Sequence, residues 1–319
     1  MGAVVRLHQS TSSTAIPELP DIEAYLHVLR RDVVGHAIQR IRLKSPFLVR
    51  TFEPPFREIE GHAPSGLRRL GKRVVMEFEA FEPTRFVVMH LMKAGRLKWG
   101  KPGAGLPGRI GLCAIDFEHG TLLFTEAGHK RRASIHVAEG AQALGALDPG
   151  GLEIATLSAG AFADRLRSHR HTLKRGLTDP HILSGIGSAY ADEIMLRARL
   201  SPMKRTDSLS DEEAERLRAA CLSVFEEWTQ RIQEQAGDGW PRITAFRPEM
   251  AAHGKAGEPC PQCGSAIQKI VYAETETNYC ATCQTEGRVL KDRSLSRLLK
   301  DDWPRDLDAW EQRMRPGES

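Results

Sequence analysis

The chain has 319 residues, 41% of them hydrophobic and 27% charged, with 45 Lys and Arg against 41 Asp and Glu for a net charge of +4. This is the composition of a folded globular protein, and no apolar run approaches the roughly 18 residues of a membrane span. Six cysteines are too few for a disulfide scaffold of this length, and the mild cationic excess admits a polyanionic partner without requiring one.

Residues 1–16 contain no acid and many Ser and Thr, lack the apolar core of a signal peptide, and place Arg6 where a myristoylation motif needs Ser or Thr. They read as a leader that is disordered or precedes the true start. Pro17-Glu-Leu-Pro20 then opens a helix with Asp21 and Glu23 in its first turn, where the helix dipole favours acids, and with Ile22, Leu26 and Leu29 as its apolar face. Strand-like runs follow at 38–43, 73–78, 86–91, 115–117 and 121–125, punctuated by Gly and Pro. Residues 17–140 are therefore expected to be largely antiparallel β structure, with a Gly-rich surface loop at 100–108. Cys113, like Cys221 later, sits among apolar residues and reads as a packing residue.

A linker is expected over 138–160, around Leu147-Asp-Pro-Gly-Gly151, and a helical unit over 150–245 that ends in the long amphipathic stretch 211–235. Within it, Asp179-Pro180 predicts a helix start, Gly185 and Gly187 break that helix, and Ser188 caps the next, which runs to about Leu200. Such a Gly-x-Gly turn would aim the N–H groups of Gly187, Ser188 and Ala189 outward at a phosphate, with Lys174 adding a charge. An ordinary helical hairpin fits the same residues. A basic segment containing His253-Gly-Lys255 leads to Cys260-x-x-Cys263 and, sixteen residues on, Cys280-x-x-Cys283. Two such knuckles on a short hairpin deliver four thiolates to one tetrahedral Zn²⁺, a structural ion. Two disulfides or four buried thiols are the alternatives that this spacing leaves open. The zinc unit is expected over 250–287. A charged tail, 288–319, has Leu295, Leu298 and Leu299 at helical spacing and is expected to pack back on the protein.

Three segments in order, Pro17-Glu-Leu-Pro-Asp-Ile-Glu23, Gly185-Ile-Gly-Ser-Ala-Tyr-Ala-Asp-Glu193 and Gly257-Glu-Pro-Cys through Cys283-Gln284, resemble the formamidopyrimidine-DNA glycosylase and endonuclease VIII family. The resemblance implies an α+β protein: an N-terminal antiparallel β-sandwich with flanking helices, a helical domain with a helix–two-turn–helix module, and a C-terminal β-hairpin zinc finger. It implies a monomeric base-excision repair enzyme of the cytoplasm, associated with the nucleoid, acting on damaged DNA and not on membranes. By resemblance Pro17 would be the amine nucleophile, Glu18 its proton-handling partner and Lys72 the assisting lysine, while Lys93, Arg131, Arg132, Lys174, Gly187, Ser188, Tyr190, Lys255 and Thr275 would lie against DNA.

This chain departs from the family pattern at several places. Thr275 stands where the finger usually carries Arg, with Glu274 and Glu276 on either side. Lys93 takes the place of a void-filling Met, and Ala133 and Ser134 follow Arg131-Arg132 where a bulky wedge is usual. Pro17 is internal, so its nitrogen is a tertiary amide without a lone pair for attack. A lyase therefore needs the leader to be removed or translation to begin at the position of Ile16. With Pro17 acylated, the alternative is a non-catalytic zinc-finger protein that binds damaged DNA. A zinc-ribbon protein adaptor leaves the Pro-Glu-Leu-Pro motif unexplained.

Overall fold

The structure, a computed structural model, describes residues 16–128, 130–244, 247–272, 275–291 and 306, without the side chains of residues 272 and 275. The leader before Ile16, Glu274 and the leucines expected in the tail lie outside the described residues.

Helix α1 (Leu19–Asp32) begins where the sequence places it: the Glu18 backbone N–H donates to Asp21 Oδ2 at 2.9 Å, and Arg30 and Arg31 close the last turn. Its buried face of Ile22, Tyr25, Leu26 and Leu29 packs into a core between two antiparallel sheets. One sheet has the order β1 (Arg40–Leu43), β6 (Gly111–Asp116), β7 (Thr121–Glu126), β5 (Gly95–Gly100). The other has the order β2 (Gly66–Leu70), β3 (Arg73–Phe78), β4 (Arg85–His90), β8 (Ser134–Glu139). Val74, Met76, Val87, Met89, Ile135 and Val137 point inward from the second sheet and meet Ile41, Leu97, Ile115, Leu122 and Phe124 from the first. Cys113 is in this core and Cys221 in the helical one, both buried as expected; burial pushes the Cys113 thiol up to about 12.

Strands β2, β5 and β8 escaped the sequence reading, and each is a sheet edge. An edge strand shares its polar side chains with solvent, so Gly-Leu-Arg-Arg-Leu or Ser-Ile-His-Val-Ala-Glu carries little apolar signal. The expected linker also holds structure: α2 (Gly140–Gly145) lays Leu144 on Val75, Phe86, Val88 and Ala138, the outer face of the second sheet.

In the helical half, α3 (Ala159–Arg167), α4 (Leu173–Thr178), α5 (Ser188–Arg197) and α6 (Asp211–Ala236) enclose a second core. The helix expected at Asp179-Pro180 does not form. Asp179 is the C-cap of α4, and its carboxylate accepts the His181 N–H at 2.9 Å in a local turn that competes with helix formation. Helix α6 starts on a capping box, in which Ser210 Oγ accepts the Glu213 N–H at 3.2 Å and Glu213 Oε2 accepts the Ser210 N–H at 2.9 Å. Its 26 residues run through both cores, with Leu217, Val224 and Trp228 in the helical one and Ile232 in the sandwich. Beyond it Trp240 stacks on Trp99, ring centroids 5.5 Å apart, and its indole N–H donates to Asp32 Oδ2 at 2.7 Å. The C-terminal hairpin, β9 (Ile267–Tyr272) and β10 (Thr275–Cys280), is followed by the one-turn helix α7 (Ala281–Thr285).

Candidate active site and zinc centre

The N-terminal motif and the Gly-x-Gly turn are 169 residues apart in sequence, and the fold joins them. The Glu18 carboxylate is buried and accepts the backbone N–H of Gly187 at 2.6 Å, of Ala189 at 3.0 Å and of Tyr190 at 3.3 Å. The Leu19 N–H donates to Gly185 O at 2.9 Å. The start of α5 is thus capped by a carboxylate from the other half of the molecule, with Gly187 as N-cap and Ser188 the first helical residue. A Cβ on Gly187 would lie 2.4 Å from Glu18 Cδ, and one on Gly185, at φ +83°, would lie 2.9 Å from Leu19 Cβ. Both glycines are required by this contact.

This arrangement corrects the expectation that the turn opens its amides to phosphate. Of the three N–H groups, those of Gly187 and Ala189 are taken by Glu18, and only that of Ser188 has no acceptor among the described residues. Lys174 is likewise unavailable: it is buried, with Nζ 2.6 Å from Asp192 Oδ1 and donating to Ser188 O at 2.6 Å. Tyr190 is 1% exposed and packs edge-on against Trp228, so its side chain is core rather than surface. The Ser188 hydroxyl donates to Glu276 O of the finger hairpin at 3.3 Å.

Lys72 sits on the β2–β3 turn, and burial holds its ammonium below the usual lysine range, opposed by the negative charge of Glu18. It makes no hydrogen bond or ion pair among the described residues. Burial raises the Glu18 carboxyl above the ordinary carboxylate range, opposed first by Lys72 and then by the α5 amides. Pro17 is buried immediately beside Glu18. One corner of the molecule therefore brings together Pro17, a carboxyl with a raised pKa and a lysine with a lowered one, a pattern typical of proton-transfer sites.

The sequence reading missed the support of this corner. Asp21, which holds the Glu18 N–H, is itself gripped by Arg247 through Nη2–Oδ1 at 2.5 Å, both side chains being nearly fully buried. Arg69 ties α1 to the helical half through Glu23 at 3.0 Å and through Glu153. Neither pair could be found from the sequence, because the partners are remote and are ordinary charged residues in isolation. His90, across from Arg73 and close to Lys72, is depressed to about 4 by burial and by Arg73, Lys72 and His136, so it faces this end of the sheet as neutral imidazole.

The remaining residues expected at DNA lie on turns and segments of the sandwich and finger. Lys93 is exposed on the β4–β5 turn. Arg131 and Arg132 are exposed on the segment before β8; Arg131 donates to Arg109 O, and the Arg132 backbone N–H to Glu126 Oε1 at 2.9 Å. Ala133, in the expected wedge position, is buried with its N–H on the same Glu126 carboxylate. Lys255 pairs with Glu258 at 2.9 Å. Thr275 opens β10, and its side chain lies outside the described residues.

The four sulfurs of Cys260, Cys263, Cys280 and Cys283 lie within 4.8 Å of one another. Four thiols converging in this way, with two knuckles held by Gly264 N–H to Cys260 O at 2.8 Å and Cys283 N–H to Cys280 Sγ at 3.4 Å, fit tetrahedral Zn²⁺ and leave no position for a substrate. The site is a structural zinc centre. It is docked on α5 by Asp192 and Glu193. His253 Nδ1 is 2.8 Å from Asp192 Oδ2, and Glu193 accepts the N–H groups of Ala251, Ala252 and His253 at 2.8–2.9 Å.

Comparison with known proteins agrees along the chain. Residues 16–133 match the family model for the formamidopyrimidine-DNA glycosylase N-terminal domain. Residues 148–235 match that for the formamidopyrimidine-DNA glycosylase H2TH domain, and 257–285 that for the zinc finger found in FPG and IleRS. A formamidopyrimidine-DNA glycosylase of Thermomicrobium roseum is 30% identical over 295 residues, covering 84% of this chain and 99% of that protein. That of Chloroflexus aurantiacus is 27% identical over 277 residues, covering 84% and 98%. The solved structure of MutM in complex with carbocyclic 8-oxo-G containing DNA superposes with a TM-score of 0.72 at 25% identity, covering 84% of this chain and all of that one. Taken with the capped Gly-x-Gly turn and the four-cysteine finger, these matches show that the chain belongs to the formamidopyrimidine-DNA glycosylase family.

Proposed function

We propose that this member of a DNA base-excision repair family removes a damaged base and then cleaves the strand as an AP lyase, through an imine at Pro17. The observation that carries this reading is the seating of Glu18. Its carboxyl, fixed by the α5 amides beside Pro17 and Lys72, is held where a proton must be given and taken.

In the proposed sequence the Pro17 nitrogen, once free of its acyl group, attacks C1′ of a flipped-out nucleotide. The N–C1′ bond forms as the glycosidic bond breaks, and the proton shed by the amine leaves with the departing base. Glu18 delivers a proton to the sugar ring oxygen as the C1′–O bond opens, which leaves an iminium at C1′. Loss of a proton from C2′ then expels the 3′ phosphate. A secondary amine suits this step because it reaches the iminium without losing a second proton. The DNA lies across Lys93, Arg131, Arg132, Ser188, Lys255 and Thr275, with residues 17–140 and 150–245 forming the two walls, 250–287 the finger, and zinc holding the finger's shape rather than taking part in the reaction.

The Ile16–Pro17 bond in the chain as written favours a second reading, a damaged-DNA binder without lyase chemistry. Borohydride trapping on abasic-site DNA separates the two. Protein whose first residue is Pro17 is expected to form a covalent adduct, and the full 319-residue chain to form none. No adduct from the shortened protein sinks the lyase. In that shortened protein Glu18→Gln is expected to lower base excision at least about 100-fold with binding retained, the usual contribution of a positioned acid–base group.

A further inference from the structure

Phe47 and Phe52 are the two large apolar side chains most exposed to solvent among the described residues, at 78% and 93%. They lie on one segment that runs beside β8. The Lys44 and Ser45 N–H groups donate to Leu112 O at 2.9 and 3.2 Å, Pro46–Leu48 forms a single 3₁₀ turn, and Val49 pairs in parallel with Ile135, with the Arg50 N–H on Ile135 O at 2.8 Å. The turn is pinned on both sides of Phe47, so the ring is presented to solvent by a fixed backbone.

The parallel pairing also gives the segment a direction. Phe47 lies toward Ala133 and Ser134, the end of the sheet where Ser134 faces His90 and His90 faces Arg73. Three strand spacings, about 14 Å, separate it from the Lys72 turn. Phe52 lies the other way, beside Glu53 and toward Arg85, which is already held by Glu58 and Glu139. On Phe47's side of the segment, Lys44 reaches Gly108 O and Arg131 reaches Arg109 O, and Lys44, Arg109, Lys130, Arg131 and Arg132 are all exposed. An exposed ring amid cations matches a polyanion that also offers flat apolar faces, which is a nucleic acid. Phe52, with acidic neighbours, does not.

We propose that Phe47 is the side chain this protein inserts into DNA: its ring stacks on a base face opened where the duplex is kinked beside the lesion. The position that would supply a wedge by resemblance holds Ala133, too small and too buried to reach a base. An apolar side chain pressed between base steps holds the bend open, and the surrounding cations fix the phosphates on either side. The inference rests on the DNA-repair reading above and adds to it the residue that grips the deformed duplex.

The test uses the full chain and a duplex with a tetrahydrofuran abasic analogue, for which a free Pro17 is not needed. Phe47→Ala is expected to weaken binding about tenfold, the usual worth of one base–aromatic stack, with the slope of log Kd against log salt unchanged because no charge is lost. Phe47→Trp and Phe52→Ala are expected to bind within twofold of the unmodified protein. Both positions are solvent-exposed, so melting temperatures stay the same and serve as the folding control. Unchanged affinity in Phe47→Ala, or an equal loss in Phe52→Ala, overturns the proposal while leaving the repair function standing. Failure of the unmodified protein to bind this duplex overturns both.

Discussion

At the scale of single residues, the most demanding position is Gly187. Its missing Cβ makes room for Glu18, whose carboxylate then finds the unpaired amides at the head of α5. Gly187→Ala is expected to push that carboxyl off its amides and to lower base excision about 100-fold in protein that begins at Pro17, since an ångström of misplacement costs that much. Binding to abasic DNA should change only a fewfold. Ser188→Ala, which removes a hydroxyl but leaves Glu18 on its amides, should lower excision far less than Gly187→Ala, and single-turnover kinetics on both variants check the contrast. The sequence made both partners visible as motifs, Pro17-Glu18 and Gly185-x-Gly187, but not their contact. An amide at a helix start looks open to any anion until the tertiary fold supplies one, and here the anion comes from within the chain. The same blindness applied to Lys174, which reads as a phosphate-binding cation but is the buried partner of Asp192.

At the scale of elements, legibility followed how local the determining interaction is. The zinc hairpin could be read from four cysteines because the knuckle geometry is fixed within a few residues of each ligand. Central strands such as β3 and β4 were visible as apolar runs, whereas the edge strands β2, β5 and β8 take their pairing from neighbours distant in sequence. Apart from its docking on α5, the hairpin has few apolar contacts to hold it without metal. Its own cluster is Ile270, Tyr279, Ala281 and Val289, with a further patch of Ala252, Ile267 and the cysteines against Leu196. Cys280→Ala is expected to abolish zinc binding and unfold β9 and β10, while the sandwich and helical cores melt as before. Zinc content by native mass spectrometry, together with protease sensitivity confined to about residues 257–285, checks this. A protected hairpin without zinc overturns it.

At the scale of the whole molecule, the contacts that fasten the halves together include, besides Glu18 on α5, Arg247 on Asp21, Arg69 between Glu23 and Glu153, and Trp240 on Trp99. Of these ion pairs, Arg247 on Asp21 is the most enclosed. Arg247→Leu strands the Asp21 carboxylate in the interior and is expected to cost about 3–5 kcal/mol at neutral pH. The double variant with Asp21→Asn should recover much of that loss, because it removes the stranded charge rather than restoring the pair. Denaturant titrations of the single and double variants decide the matter, and a single variant as stable as the parent rules the lock out.

A single 26-residue helix, α6, places Leu217, Val224 and Trp228 in one core and Ile232 in the other, so one rod ties the two halves together. A duplex that bends against such a frame does the flexing. Elastic work of up to several kcal/mol then falls on the nucleic acid, and sites already softened by a lost or weakened base pair are the cheapest to accommodate. On the proposed function, damaged helix would be sorted from intact helix by compliance before any atom of the lesion is inspected.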